Sequence, residues 1–136
     1  MPDYTNQIRK NKNRGYQQLR VWNDAIDFYK RTSTVFKKFP YELKRIASQA
    51  IASADSVHRN IAEGYCRRSI REYIQFLYIA LGSLGESVSG FQACRQAEQI
   101  SYWEFCQLLD KKCRASRAGY DGWLRYAKQY KWIKDE

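Results

Sequence analysis

The sequence has little of what usually marks a metal site, a redox centre or a secreted protein. Its 136 residues include one histidine, two prolines and four cysteines, and no two cysteines form a C-x-x-C pair. Neither zinc-ligand spacing nor a thiol redox motif is therefore present. We expect reduced thiols, a cytoplasmic location, and no bound metal or cofactor.

Long apolar runs are also missing. None approaches the roughly 18 residues that a membrane-spanning helix needs. The opening segment, MPDYTNQIRKNKNRGY, lacks the apolar core of a signal peptide. We therefore expect neither secretion nor a membrane partner.

Positive charge is the main compositional signal. The chain has 24 Lys and Arg against 14 Asp and Glu, for a net charge of +10. Such an excess indicates a polyanionic partner, RNA or DNA before a membrane surface. The alternative is that the charge serves only solubility.

Apolar spacing predicts an all-α protein. From Gln18 onward the apolar residues recur at three- and four-residue steps, without sustained period-two alternation. We expect an antiparallel up-down-up-down four-helix bundle over residues 17–130. A flexible basic arm is predicted at 1–16 and a C-terminal tail at 131–136. The predicted helices cover about 17–38, 41–63, 70–97 and 101 onward.

Each predicted helix has an apolar stripe that should face the core. The stripes are Leu19, Trp22, Ala25, Ile26, Tyr29 and Phe36 in the first helix, Leu43, Ala47, Ala50, Ala54, Val57 and Ile61 in the second, Tyr73, Leu77, Ala80, Leu84, Val88 and Phe91 in the third, and Phe105, Leu108, Leu109, Trp123, Leu124 and Ala127 in the fourth.

Helix boundaries are indicated by capping residues. Ser69 with Glu72, and Ser101 with Glu104, have the spacing of capping boxes that start the third and fourth helices. Gly64 is predicted to end the second helix in the left-handed conformation. Pro40 suits the first turn of the second helix.

Two helix faces are unusual for a plain bundle. A flank of the second helix is polar and mostly small, at Gln49, Ser53, Ser56, Asn60 and Glu63. The third helix has a stripe of small residues at Gly82, Gly85 and Ser89, which indicates that something packs tightly there. The polar flank either bonds to a neighbouring helix, lines the lumen of an assembly or faces solvent.

No catalytic set is evident. Glu63 and Glu72 lie on different helices without a nucleophile and base beside them, and His58 has no partner in the pattern. Cys66 next to Arg67 is the one candidate nucleophile, but a base and oxyanion donors are lacking. We predict a protein that is not an enzyme.

Basic residues form the better-organised candidate site. They grip phosphates, and a helix N-terminus beside them adds partial positive charge. The aromatic residues interleaved with the last group can stack on unpaired bases, although Tyr120 and Trp123 fit a helix core better. The candidates are the arm residues Arg9, Lys10, Lys12 and Arg14, the hairpin residues Arg67, Arg68 and Arg71, and Lys111, Lys112, Arg114, Arg117, Arg125 and Lys128 of the fourth helix.

Four segments carry a family resemblance. They are LRVWNDAIDFY, FPYELKRIASQ, SVHRNIAEG and SIREYIQFLYIALGSLGE. Together they resemble the four-helix-bundle proteins encoded within intervening sequences of bacterial 23S ribosomal RNA genes, which are similar in turn to accessory proteins of diversity-generating retroelements. The resemblance covers about residues 19–126. The chain departs from the family pattern at His58, where proline is usual, and at Ser53, where a basic residue is common.

The resemblance implies a basic ring, typically a homopentamer, without known enzymatic activity. The retroelement relatives bind nucleic acid and a reverse transcriptase. We therefore expect a ring-forming accessory or ribonucleoprotein component that binds RNA or other nucleic acid electrostatically. The alternative is a scaffold that docks an acidic protein such as a reverse transcriptase without binding nucleic acid. An enzyme using Glu63 or Cys66 is the third and weakest hypothesis.

Overall fold

The computed structural model describes residues 15–109, which form an all-α four-helix bundle. Two short 3-10 turns, Tyr16–Gln18 and Tyr41–Leu43, precede the first two helices. The predicted fold class is confirmed. The helices are α1 (Arg20–Phe36), α2 (Lys44–Tyr65), α3 (Ile70–Gln96) and α4 (Tyr102–Leu109).

Several predicted segments lie outside the described residues. These are the basic arm up to residue 14, the fourth helix beyond residue 109, and the tail at 131–136. Tyr16, which the sequence pattern assigned to the arm, instead begins the first 3-10 turn, and its ring centroid lies 5.3 Å from that of Trp22. The packed part of the chain therefore starts slightly earlier than predicted.

Both serines cap their helices as predicted, and at Ser101 the capping box is reciprocal. The Ser69 hydroxyl accepts a hydrogen bond from the Glu72 backbone N–H at 3.2 Å. At the start of α4 the Glu104 N–H donates to Ser101 Oγ at 3.1 Å, and the Ser101 N–H donates to the Glu104 carboxylate at 2.9 Å. These bonds satisfy backbone donors that have no partner within the first turn of a helix.

The prediction for Gly64 was wrong. No glycine in residues 15–109 has a positive φ, and α2 continues through Gly64 to Tyr65. Gly64 is buried where α2 meets α3, and a Cβ atom built on it would lie 2.5 Å from the Cβ of Phe76. Glycine is needed here because the two helices approach too closely for a side chain, and the turn itself is made by the residues after Tyr65.

The end of α3 carries no glycine signal. Glu98 has a φ of 59°, the Gln99 N–H donates to the Cys94 carbonyl at 2.8 Å, and the Glu98 N–H donates to the Arg95 carbonyl at 3.1 Å. This pair of bonds is the Schellman arrangement, in which the residue after the C-cap is usually glycine. Glu98 occupies the left-handed position of this motif, and the chain continues from it to the buried Ile100.

The core follows the predicted stripes of α2 and α3 closely and that of α1 only in part. Ala25 and Phe36 of α1 are buried as predicted, but Val21, Phe28 and Val35 are buried as well, while Trp22 and Tyr29 lie at the edge. The stripe of α1 is rotated because this helix packs against both α2 and α4. The largest fully buried side chains are Phe28, Phe36, Phe91, Ile61, Leu108 and Val57.

Part of the polar flank of α2 packs against α3. Ser53 Oγ and Ser87 Oγ lie 2.7 Å apart, and Ser56 Oγ and Ser83 Oγ lie 2.9 Å apart. Small hydroxyl side chains thus let antiparallel α2 and α3 approach closely while each buried oxygen keeps a partner. Asn60 bonds to Ser56 of its own helix at 2.8 Å, whereas Gln49 and Glu63, at the two ends of the flank, are exposed.

Within residues 15–109, no helix has both the length and the apolar character required to cross a membrane.

Candidate nucleic-acid interface

The hairpin between α2 and α3 presents the predicted arginine trio at the surface. Arg67, Arg68 and Arg71 are all exposed. Arg67 donates to the Glu63 carboxylate at 2.9 Å, and its guanidinium carbon lies 5.0 Å from the centroid of the Phe76 ring. Arg68 and Arg71 have no carboxylate partner in the part of the chain that the structure describes. Two of the three arginines are therefore available to an external anion.

The N-terminus of α3 contributes less to this site than the sequence suggested. Ser69 already accepts from the Glu72 N–H, and the Glu72 carboxylate lies in the same first turn. A carboxylate at this position offsets the positive end of the helix dipole. Any phosphate contact here depends on the side chains of Arg68 and Arg71.

A second basic cluster was missed by the sequence reasoning. Lys37, Lys38, Lys44 and Arg45, here called the turn cations, are exposed around the link between α1 and α2. Lys44 donates to the Tyr41 hydroxyl at 3.0 Å and lies 4.2 Å from that ring's centroid. Four basic residues within the nine positions of KKFPYELKR were the available signal. The charges of this segment stand on both sides of the helix boundary at Pro40.

Most of the net charge lies outside the described bundle. Residues 15–109 contain 12 Lys and Arg and 9 Asp and Glu, a net charge of +3 out of the total +10. The remaining +7 belongs to the two ends of the chain. Those ends include the other predicted contacts, Arg9, Lys10, Lys12 and Arg14 and then Lys111, Lys112, Arg114, Arg117, Arg125 and Lys128, all outside the described residues.

Of the residues that the sequence offers for catalysis, Glu63 has an ion-pair partner and Cys66 is exposed. Glu63 pairs with Arg67, and Cys66 is an exposed thiol at the C-cap of α2. Burial raises the pKa of the Cys94 thiol, which favours its protonated form. No group of three or more His, Cys, Asp or Glu side chains in residues 15–109 is arranged to hold a metal ion.

His58 lies in a cluster between α1 and α2. Its Nε2 is 2.8 Å from Asp55 Oδ1, and its ring packs beside those of Trp22 and Tyr29, with centroid distances of 6.3 and 5.7 Å. Arg59 donates to the second oxygen of the same carboxylate. Burial by itself would raise the pKa of Asp55, but the hydrogen bonds from Arg59 and His58 outweigh it and hold the pKa below its usual value.

Asp55 should make the stability of the bundle depend on acidity. Because its pKa is lowered by folding, the carboxylate stabilises the folded state above about pH 4, the unfolded value, and this contribution is lost as the pH falls through the folded value. We expect Asp55→Asn to be less stable than the wild type at pH 7, with the difference shrinking toward pH 2. Urea unfolding at a series of pH values measures it. A difference that is constant with pH would contradict the assignment.

One face of α3 is exposed and nearly uncharged. Between Glu72 and Arg95 this helix has a single charged residue, Glu86. Within the described residues, nothing lies within 4 Å of a Cβ built at Gly82 or Gly90, so α3 has open space at these two positions. The outer face of α3 consists of residues at three- and four-residue steps, Gln75, Tyr78, Ile79, Gly82, Glu86, Ser89, Gly90 and Ala93.

A groove borders this face. It has a volume of about 310 Å³ and runs between the first half of α2 and the last half of α3, with Ile46, Ala50, Gly90, Ala93 and Cys94 among its lining residues. Ile79 and Tyr78 on the same helix are 51% and 47% exposed. Within the described residues, the outer face of α3 and the adjoining groove thus remain exposed.

Comparison with known proteins gives a single family. A family model described as 23S rRNA-intervening sequence protein matches residues 17–120, most of the chain. No curated protein matches the sequence, and no solved structure matches it.

Proposed function

The chain belongs to the 23S rRNA-intervening sequence protein family, and on that basis we propose that it is a non-enzymatic, ring-forming protein that binds RNA electrostatically in the cytoplasm. It serves as an accessory or ribonucleoprotein component. The nucleic acid is bound through its phosphates, with little preference for base sequence.

The observation that carries the proposal is the distribution of ion pairs. Arg31, Arg59 and Arg67 are each paired with a carboxylate one helical turn away. The exposed cations at the two ends of the bundle have no such partner among residues 15–109: Arg68 and Arg71 at one end, and Lys37, Lys38 and Arg45 at the other. Unpaired surface cations are those that phosphates can neutralise with release of counterions.

The outer face of α3 supports assembly into a ring. A protomer of a closed ring must bury two surfaces against its neighbours. This face carries two large apolar side chains, Tyr78 and Ile79, beside the open position at Gly82. It has no Lys or Arg, although the chain as a whole is strongly basic. Charge-poor, aromatic-containing surfaces of this kind are typical of interface cores. A homopentamer is the assembly we propose.

An absence of catalysis is part of the proposal. Glu63 is paired with Arg67 and His58 with Asp55, while Cys66 lies at the C-cap of α2. None of the three forms a nucleophile and base pair with another. The protein therefore interacts with a partner through its charged and apolar surfaces.

Salt dependence tests the proposal directly. If binding is electrostatic, the logarithm of the dissociation constant for a short RNA should rise linearly with the logarithm of salt concentration. Fluorescence anisotropy with a labelled 12-nucleotide RNA at several salt concentrations measures the slope. An affinity that does not change between low and moderate salt would rule out the electrostatic mechanism.

The two unpaired arginines of the hairpin provide the matching variant. Arg68→Ala with Arg71→Ala removes two phosphate contacts, so the slope should fall by about 1.4 because single strands lose about 0.7 per contact. Arg67→Ala is the control: it removes one charge from the same hairpin, and an equivalent phosphate contact would lower the slope by about 0.7, but this charge is already compensated by Glu63. We expect a clearly smaller change in its slope.

The alternative function is distinguished by the same measurement. A scaffold that docks an acidic protein such as a reverse transcriptase would show no binding to RNA or DNA at low salt. Co-purification with one acidic protein, together with that result, would replace the proposal.

A further inference from the structure

One end of the bundle combines exposed aromatic rings with unpaired cations. Here α1 ends and α2 begins, and antiparallel α3 ends and α4 begins. Phe36 joins these segments, since its ring centroid lies 4.6 Å from that of Phe39 and 5.7 Å from that of Phe91. The basic-aromatic end, as we call it, comprises the turn cations Lys37, Lys38, Lys44 and Arg45 and the aromatic residues Tyr41, Tyr102 and Trp103.

The aromatic side chains of this end are not part of the core. Tyr41 is 75% exposed and Trp103 is 69% exposed. Tyr41 begins the 3-10 turn before α2, and Trp103 lies in the first turn of α4. Lys44 lies over the Tyr41 ring, 4.2 Å from its centroid. Two exposed aromatic rings beside cations offer flat faces on which unpaired bases can stack.

The charge around Tyr41 is positive although Glu42 lies beside it, and the link between α3 and α4 at the same end adds Glu98 and Glu104 against Arg95. Glu42 lies in the 3-10 turn between the turn cations, so four cations and one carboxylate leave a net charge of +3 around Tyr41. Glu104, in the first turn of α4, is already bonded to the Ser101 N–H in its capping box. An anionic ligand with flat apolar groups matches both properties of the surface.

We propose that the basic-aromatic end binds an unpaired segment of RNA, with bases stacked on Tyr41 and Trp103 and phosphates held by Lys37, Lys38 and Arg45. This inference rests on the proposed RNA binding and adds the class of RNA to it. Bases of a duplex are stacked on one another and cannot reach a protein ring, whereas the bases of loops and single strands can. Aromatic stacking of this kind tolerates any base, in keeping with a site that has no sequence-reading pocket.

The experiment compares single-stranded and duplex RNA. A 12-nucleotide RNA without internal pairing, and the duplex it forms with its complement, are titrated with the full chain at one low salt concentration. Tyr41→Ala and Trp103→Ala should each weaken binding to the single strand by about tenfold, within the range measured for loss of one stacked base. Binding to the duplex should change by less than about twofold, because its phosphates still meet the same cations.

Two further variants control for folding and for loss of exposed apolar surface. Trp103→Phe keeps an aromatic ring and should retain most of the single-strand affinity. Ile70→Ala removes a side chain that is 70% exposed at the opposite end of the bundle and cannot stack, so it should bind both RNAs like the wild type. Circular dichroism establishes that every variant is folded before titration.

Each outcome decides between the claims. Selective loss of single-strand binding in both alanine variants supports the inference. Unchanged binding, or equal losses on single strand and duplex, overturns it while leaving electrostatic RNA binding intact. A wild-type chain that binds neither RNA at low salt, or that prefers polyglutamate to both, overturns the proposed function itself.

Discussion

Replacing Gly64 with alanine should destabilise the bundle by about 2 kcal/mol, in the range of overpacked cores, although alanine is the better helix former. The new Cβ would lie 2.5 Å from the Cβ of Phe76, 3.2 Å from its Cγ and 3.3 Å from Cδ2 of Tyr73. The first contact is with an atom next to the backbone of α3, so the two helices must separate. That separation would also disturb the contact between α2 and α3, which includes the hydrogen bonds between their serines.

Equilibrium unfolding in urea measures this loss, and Gly82→Ala is the matched control. Gly82 also lies inside a helix, but it is exposed and nothing lies within 4 Å of an added Cβ. Only helix propensity then changes, and we expect a gain of about 0.5–1 kcal/mol. The two substitutions should thus change the free energy of unfolding in opposite directions. The comparison is made under conditions where light scattering gives the mass of one chain. A Gly64→Ala protein as stable as the wild type would refute the close approach of α2 and α3.

The second large effect should follow from placing a charge on the outer face of α3. Ile79 is 51% exposed in the single chain, so glutamate at this position remains hydrated there and the fold is unaffected. In a ring the same carboxylate would be buried against a neighbour without a partner, at a cost of about 3–5 kcal/mol for each interface. Ile79→Glu should therefore convert the ring into single chains.

Light scattering coupled to size exclusion tests this at micromolar protein. The wild type should have the mass of about five chains if the proposed pentamer is right, and Ile79→Glu should have the mass of one. Thr34→Glu adds the same charge at an exposed position of α1, away from the outer face of α3, and should keep the wild-type mass. A wild-type protein with the mass of one chain would refute the ring. An unchanged mass for Ile79→Glu would show that the interface lies on another face.

Gly64 and Gly82 belong to the same pair of packed helices but have different surroundings. Gly64 packs inside the chain, and its replacement should change stability without a specific effect on the mass of the folded protein. Gly82 has open space inside the chain and borders the proposed interface. Within one sequence, helix glycines therefore have two physical roles that only their neighbours distinguish.

Features that depend on neighbouring residues could be predicted. The bonds of Ser69 and Ser101 to backbone donors three residues later follow from local geometry, and the recurrence of Leu77, Ala80 and Leu84 follows from the period of the α-helix. The family could also be assigned, since the segments that resemble it lie within the matched residues 17–120.

The candidate site was predicted less well than the fold. The sequence indicated Arg67, Arg68 and Arg71 equally, but the bond from Arg67 to Glu63 leaves only two of them unpaired. Lys37 and Arg45 were not singled out, although they lie within nine consecutive positions, because residue types do not show whether such charges are paired. Charge pairing is a three-dimensional property that residue counts do not contain.

By itself the sequence determined the all-α class, the starts of α3 and α4, the apolar stripes of α2 and α3 and the family, because each depends on contacts within a few residues or on a repeated spacing. Only the tertiary structure decided that Gly64 lies within a helix contact, and that the serines of α2 are bonded to those of α3. It alone brought the exposed Tyr41 and Trp103 to one end of the bundle. These features depend on the distance and rotation between helices, and many local patterns are compatible with more than one such arrangement.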